Sequence, residues 1–304
     1  MKLLAAGLCY LALGLPAFAE CSGRMITGKV YAPVCVPANP QRVAILDPFY
    51  NLGMALELEL PVAAAPLLGA KDGGLRTDKR AGSIVDLGDF RQPSLERLIA
   101  LQPDLIVGNA STHANLHAAA SRIAPTLLFD DPDWKAHLRL LARATGRDAA
   151  AETLLAAYEE RAVAIRERAH GMRVSVIRIA ANGFIAYPDG PDAFGPYAVL
   201  REVGVKRTAI ETVSDSTPFK RLDWEELIAL DGDVLLYFAL DGADPAHYDR
   251  VEAETVANPL WQMIPAVRAG RAYRVDPETW WRFNGVGSAH STLDDIERFI
   301  LNTP

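Results

Sequence analysis

The sequence predicts an α/β fold of two lobes, each built on a mainly parallel sheet, with one long helix between them. Three observations predict it. From residue 42 onward short apolar runs alternate with longer amphipathic ones, which is the order of strands and helices in a parallel sheet. Residues 149–170 carry apolar side chains at helical spacing with Arg and Glu elsewhere. A helix-turn-strand unit also occurs twice, once in each half. The length of 304 residues suits two domains at roughly 100–200 residues each.

The elements follow in order. Residues 1–19 have the layout of a secretory signal peptide: Lys2 gives a positive start, Leu3 to Leu15 an apolar stretch, and Ala17-Phe18-Ala19 a small-x-small cleavage site. The apolar stretch falls short of the roughly 20 residues that span a bilayer. A buried N-terminal helix is the alternative, and so is a lipoprotein anchor on Cys21, for which Glu20 is a poor preceding residue. Cys9 leaves with the signal. Export then gives Cys21 and Cys35 an oxidising compartment, and a disulfide between them would tie down the Pro-rich extension 20–41 (Pro33, Pro37, Pro40). Closing that loop contributes roughly 3 kcal/mol in the chain-entropy model. Two free thiols remain the alternative.

In the first lobe, 42–146, Arg42 to Leu46 reads as a strand and Pro48 to Leu58 as a helix, followed by apolar strand runs at 62–65, 104–107 and 126–129. Trp134, Leu138 and Leu141 mark a helix that stops at Gly146. The long helix, 149–170 within the interlobe segment 147–170, would reach roughly 33 Å. It is either a strut between two lobes or one more covering helix. The second lobe, 171–304, opens on the strand Val174 to Ala180, has another at Val234 to Phe238, and ends in a helix marked by Leu293, Ile296 and Phe299.

The repeat aligns Leu95 to Val107 without gaps on Trp224 to Leu236. Glu96, Leu98, Ile99, Ala100, Leu101 and Asp104 are identical to Glu225, Leu227, Ile228, Ala229, Leu230 and Asp233. Each copy reads as a short helix, a turn with Pro or Gly, and a buried strand. Equivalent units in the two halves make the space between them the natural ligand site.

Composition excludes several classes of function. With 38 acidic and 31 basic residues the formal charge is −7, so nothing global favours nucleic acid or an anionic membrane. There is no Gly-x-Ser-x-Gly elbow, no His-Glu-x-x-His helix and no phosphate-cradling loop; Asn284-Gly285-Val286-Gly287 lacks the third glycine. The 6 histidines are scattered. His113 and His117 share helical spacing, which keeps a zinc or manganese binding protein open as an alternative, without an evident third ligand. An exported α/β hydrolase is the weaker rival.

Four stretches carry a resemblance that covers about residues 42–300: Arg91-Gln92-Pro93-Ser94-Leu95-Glu96 with Leu101 to Ile106; Ser111-Thr112-His113-Ala114 leading to Ile123-Ala124-Pro125-Thr126; Asn258-Pro259-Leu260-Trp261-Gln262-Met263; and Val275-Asp276 with Thr279-Trp280-Trp281-Arg282. They resemble the periplasmic substrate-binding proteins of ABC importers for iron-siderophores and vitamin B12, most closely the ferric-citrate type. The resemblance implies two Rossmann-like lobes of the class III architecture, a shallow cleft with little closure, and no enzymatic activity. It implies a monomer in the periplasm that binds an anionic ferric-siderophore and delivers it to an inner-membrane ABC permease. The protein would need no cofactor of its own, because the chelator and not a protein side chain holds the ferric iron. Haem and cobalamin are alternative ligands.

Residue by residue, the resemblance makes Arg91 the cleft arginine, able to pair bidentately with an anionic chelate oxygen. It makes His113 a donor in the same cleft. Trp280 and Arg282 become a ring and a charge for the chelator's frame, Phe219 an aromatic wall, and Arg178 and Tyr187 further contacts from the second lobe. Glu96 and Glu225 take the positions of the glutamates that dock the vitamin B12 member onto its permease. Acids at a helix start are also favoured by the macrodipole alone. The extension with its two cysteines, the doubled Trp280-Trp281 and Asn284 depart from the family pattern.

Overall fold

The structure, a computed structural model, describes residues 21–67, 83–169, 171–240 and 245–301. The signal-peptide expectation falls on residues outside that range. Two short strands, β1 (Arg24–Ile26) and β2 (Val34–Val36), pair antiparallel at the N-terminus. The expected disulfide joins Cys21 to Cys35. This hairpin docks on the first sheet through a Tyr31 N–H to Leu128 C=O bond of 2.8 Å and a Lys29–Asp131 ion pair of 2.9 Å.

The first sheet contains β3 (Val43–Ile45), β4 (Val62–Ala65), β5 (Val85–Asp86), β6 (Leu105–Gly108) and β7 (Thr126–Leu128). Its order is β5-β4-β3-β6-β7 and every pairing is parallel. Parallel strands covered on both faces have no polar side, and β3 and β6 are accordingly buried at every position.

The second sheet contains β8 (Val174–Ala180), β9 (Gly183–Ala186), β10 (Lys220–Leu222), β11 (Val234–Ala239) and β12 (Ala272–Arg274). Its order is β10-β9-β8-β11-β12. Here the expectation of a mainly parallel sheet needs correction, because β8–β9 and β9–β10 are antiparallel while β11 runs parallel to β8 and β12. The cause is local. Only Ala181 and Asn182 separate β8 from β9, with Gly183 at φ 121°, and a turn that short leaves no room for the crossover a parallel strand needs.

The repeated unit takes equivalent positions. Helices Leu95–Leu101 and Trp224–Ile228 lead into β6 and β11, each fourth in its sheet's order. The Ser94 hydroxyl caps the first helix by accepting the Arg97 N–H at 3.2 Å. A reciprocal capping box of Asp223 and Glu226 starts the second.

The long helix, Asp148–Ala169, packs against helix Trp134–Thr145 on one side and helix Val286–Ile296 on the other, so it bridges the two halves. Its buried stripe is Ala151, Leu155, Tyr158, Ala162, Ile165 and Ala169, alternate steps of four and three residues. Val43, Ile45 and Leu105 from one sheet and Val174 and Val176 from the other enter a single core cluster. The opposite faces bury Ala44, Leu46 and Ile106, and Ile177 and Ile179, in separate clusters.

The seam between the halves is close-fitted. Glu57, at the end of helix Tyr50–Glu57, accepts the N–H groups of Val286 (3.0 Å) and Gly287 (2.7 Å) at the start of helix Val286–Ile296. The stretch that lacks a phosphate-loop signature therefore does receive an anion, a carboxylate of the same chain. Gly285 sits at φ 152°, and a Cβ there would lie 2.4 Å from the Glu57 carboxylate; one at Gly53 would lie 2.3 Å from the Asn284 carbonyl oxygen. Lys135 adds ion pairs to Glu159 and, at 2.8 Å, to Glu202.

Candidate functional site

A cavity of about 450 Å³ opens between the halves, with six lining residues from each. From the first half, Asp47, Phe49 and Tyr50 lie on the turn after β3, Phe90 follows β5, and Asn109 and Thr112 follow β6. From the second, Tyr187 follows β9, Phe194 caps helix Gly195–Glu202, Pro218 and Phe219 precede β10, and Trp281 and Phe283 follow helix Pro277–Trp280. In the first sheet these are the carboxyl ends of parallel strands, where open α/β sheets bind ligands.

Eight of the lining side chains are aromatic. Phe49 meets Phe90 edge-on at 5.5 Å, and Tyr50 stacks on Phe194 at 5.8 Å and meets Phe283 edge-on at 5.7 Å. Tyr187 stacks on the buried Tyr197 at 5.0 Å and lies 5.5 Å from Trp281. The Arg178 guanidinium lies 4.8 Å over Trp281 and 6.0 Å from Tyr187, distances of cation–π contact. Among the described residues Arg178 makes no ion pair, and its Nε is buried without a hydrogen-bond partner.

Among the described residues the one acid in the lining is Asp47. Its carboxylate accepts the Asn51 N–H at 3.0 Å, and burial pushes its pKa up to about 6. Burial also raises the Tyr50 hydroxyl, which stays protonated. Beneath this floor runs a polar chain: His137 Nε2 donates to Asn51 Oδ1 (3.0 Å), Asn51 Nδ2 to Asn109 Oδ1 (3.2 Å), and Asn109 Nδ2 to Asp130 (3.1 Å). Burial lowers His137 to about 4, so its ring is neutral near neutral pH.

The residues expected from the sequence fall into three groups. Tyr187 and Phe219 line the cavity, and Arg178 stacks on the lining ring of Trp281. Arg91 and Arg282 lie outside the lining: Arg91 is exposed with its guanidinium 4.8 Å over the Phe90 ring, and Arg282 pairs with Glu278 at 3.0 Å. Trp280 and His113 are buried away from the hollow. Trp280 packs on Tyr197 and donates its indole N–H to Asp295 at 2.7 Å, while its neighbour Trp281 faces the cavity. His113 accepts the Asn109 N–H at Nδ1 (3.0 Å) and donates from Nε2 to the Phe90 carbonyl (2.8 Å), so it joins two lining segments from behind. Burial lowers its pKa.

The His113–His117 pairing dissolves as well, because His117 packs on Tyr31 at 5.0 Å while His113 is enclosed. Among the described residues no group of three or more His, Cys, Asp or Glu is arranged to hold a metal ion. Glu96 and Glu225 are exposed in the first turns of their helices.

Sequence reasoning missed Asp47, Phe49, Tyr50, Phe194 and Phe283. Asp47-Pro48-Phe49-Tyr50 follows the first strand of the parallel sheet directly, and that position was the available signal. Phe194 and Phe283 lie in irregular stretches where nothing in the pattern separates a cavity ring from a core ring.

A protein-family model described as "Periplasmic binding protein" matches residues 50–279. The chain belongs to the periplasmic binding protein family. That family is one of binding proteins, not enzymes. This family member is 26% identical over 284 residues to the probable siderophore-binding lipoprotein YfiY of Bacillus subtilis, covering 88% of this chain and 85% of that one. It is 29% identical over 215 residues to the achromobactin-binding periplasmic protein of Dickeya dadantii, covering 68% and 69%. The solved structure of Staphylococcus aureus SirA complexed with staphyloferrin B has the same fold, with a TM-score of 0.73, 22% identity, and coverage of 88% of this chain and 96% of that one. Among the described residues no helix is long and apolar enough to cross a membrane.

Proposed function

We propose that this protein is the periplasmic substrate-binding component of an ABC importer and that it binds a ferric-siderophore, the chelator holding the iron. The observation that carries this reading is the hollow between the two halves, walled by rings, with Arg178 stacked on the Trp281 ring and making no ion pair among the described residues. A guanidinium stacked on an indole and relieved of other partners is positioned to meet the anionic oxygens of a chelate. The family membership and the siderophore-binding relatives support it. In this reading the lobes are 42–146 and 171–304, the strut is 147–170, and the exported monomer has lost residues 1–19. Arg91 at the rim and Arg282 beside Trp281 add positive potential.

Glu96 and Glu225 are the permease-docking pair. They are exposed, identical in the repeat, and placed on equivalent helices of the two halves. Replacing both with alanine leaves ligand affinity unchanged and cuts uptake; normal transport by the double variant would reject the docking role. The binding role is tested by tryptophan fluorescence. Ferric chelates quench the emission in a saturable way through Trp281, whereas zinc, haem and cobalamin bind more weakly. Tightest binding of one of those three would replace the siderophore reading.

A further inference from the structure

We propose that the ferric chelate suited to this cleft presents aryl rings on its outer face, as catecholate, phenolate or aryl-hydroxamate chelators do, in preference to a compact polycarboxylate such as ferric dicitrate. This rests on the siderophore reading above and narrows it to a ligand class.

Eight of the lining residues carry rings, and several are left available: Phe219 is 45% exposed, and Phe90 and Trp281 are half-buried. An exposed phenylalanine at the mouth of a ring-lined hollow has apolar surface still to be covered. An incoming aryl group covers it and finds partners for edge and offset contacts.

The charges point the same way. Among the described residues no lysine or arginine lines the cavity. Arg178 lies over the Trp281 ring, Arg91 lies over Phe90, and Arg282 is paired with Glu278. A compact polycarboxylate chelate exposes several carboxylate oxygens on every side and needs several cations in direct contact. In this hollow most of those oxygens would instead meet ring faces, whose quadrupole is negative, and the Asp47 carboxylate in the wall. An aryl chelate keeps its anionic oxygens close to the iron, turns its rings to the wall, and leaves Arg178 to meet the charge that remains.

A matched pair of probes isolates the aryl contribution. Ferric tris(benzohydroxamate) and ferric tris(acetohydroxamate) share coordination and zero charge and differ in the phenyl groups. The mature chain is titrated with each, in excess free hydroxamate, and with ferric dicitrate; binding is read by tryptophan quenching and by iron retained through gel filtration. The benzohydroxamate complex is expected to bind at least tenfold more tightly than either of the others. Phe219→Ala, at an exposed position that the fold tolerates, is expected to narrow the ratio between the two hydroxamates at least threefold.

An acetohydroxamate complex that binds as well as the aryl one, tighter binding of ferric dicitrate, or a ratio unaltered by Phe219→Ala would overturn the aryl preference and leave the siderophore reading standing. Failure of all three ferric complexes to bind at millimolar concentration would overturn both.

Discussion

Asp47, Asn109 and Thr112 give the first half's wall of the cleft a polar floor, whereas Tyr187, Phe194, Phe219, Trp281 and Phe283 make the second half's wall a surface of rings. The two are held in different ways. The first is braced by a chain of histidine, amide and carboxylate hydrogen bonds, with His113 joining Asn109 to Phe90, His137 fixing Asn51, and Asp47 and Asp130 accepting from Asn51 and Asn109. The second is braced by a buried ion pair. Arg207 pairs with Glu211, and its guanidinium also donates to the carbonyls of Val174 (2.9 Å) and Tyr187 (3.1 Å), while Glu211 accepts the Val176 N–H (2.9 Å) and the Thr208 hydroxyl (2.8 Å). Glu211 is fully buried and Arg207 nearly so. The difference teaches that the ring wall, which carries the free guanidinium of Arg178, stands on a charged support that loses most when one partner is removed.

Breaking that support is the largest expected effect. Glu211→Ala leaves Arg207 buried and unpaired and should cost about 3–5 kcal/mol in denaturant unfolding. An unchanged midpoint would mean that the ion pair does not hold the second wall.

The first wall should show its support through pH. His137 has its pKa lowered by burial to about 4 from an ordinary 6.5, so its contribution is complete above pH 6.5 and is lost as the pH falls through 4, roughly 3 kcal/mol in all. Asp47 acts in the opposite direction. Its carboxyl is raised to about 6 from 3.8, so its contribution is complete below pH 3.8 and is lost as the pH rises through 6. The two contributions nearly cancel in the parent protein, so in thermal unfolding between pH 4 and 7 His137→Gln should gain stability towards acid relative to the parent, and Asp47→Asn should lose it. Parallel curves for all three would remove both groups from the account.

The comparison sharpens on ligand affinity. Arg178→Ala removes the cation of the ring wall and should weaken ferric-chelate binding tenfold or more, about 1.5–3 kcal/mol for a charge-assisted contact. Arg91→Ala acts at an exposed rim position and should cost less than tenfold. Equal losses in titration would place the two guanidinium groups on a par. Smallest of all, Trp280→Phe should lower stability and leave affinity within twofold, since that ring lies in the core and its indole N–H serves Asp295.

Much of the architecture was legible because apolar periodicity reports burial. The apolar runs of β3, β6 and β11, the stripe of the long helix and the repeated unit with its shared Asp104 and Asp233 each stand out along the chain. The short Ala181-Asn182 turn that makes β9 antiparallel to β8 has no counterpart in the sequence reading, which marks a strand at Val174 to Ala180 and none directly after it. The site was less legible. A sequence pattern says that Trp280 and Trp281 are both apolar, but only packing decides that the first fills the core beside Tyr197 and the second faces the hollow. Arg178 could be named from its strand, whereas its freedom from an ion pair depends on which acids the fold brings near. Asp47 was hidden for the opposite reason, since one aspartate after a strand resembles any turn residue until its burial is known.

The most direct measurement is the position of iron in crystals grown with the tightest-binding ferric chelate, located by anomalous diffraction at the iron edge. The account expects one iron in the hollow, between the Asp47 side and the Trp281 ring, with every coordinating atom supplied by the chelator and Arg178 facing its anionic oxygens. Iron bound by a protein carboxylate or imidazole, or iron outside the space between the two halves, would contradict it.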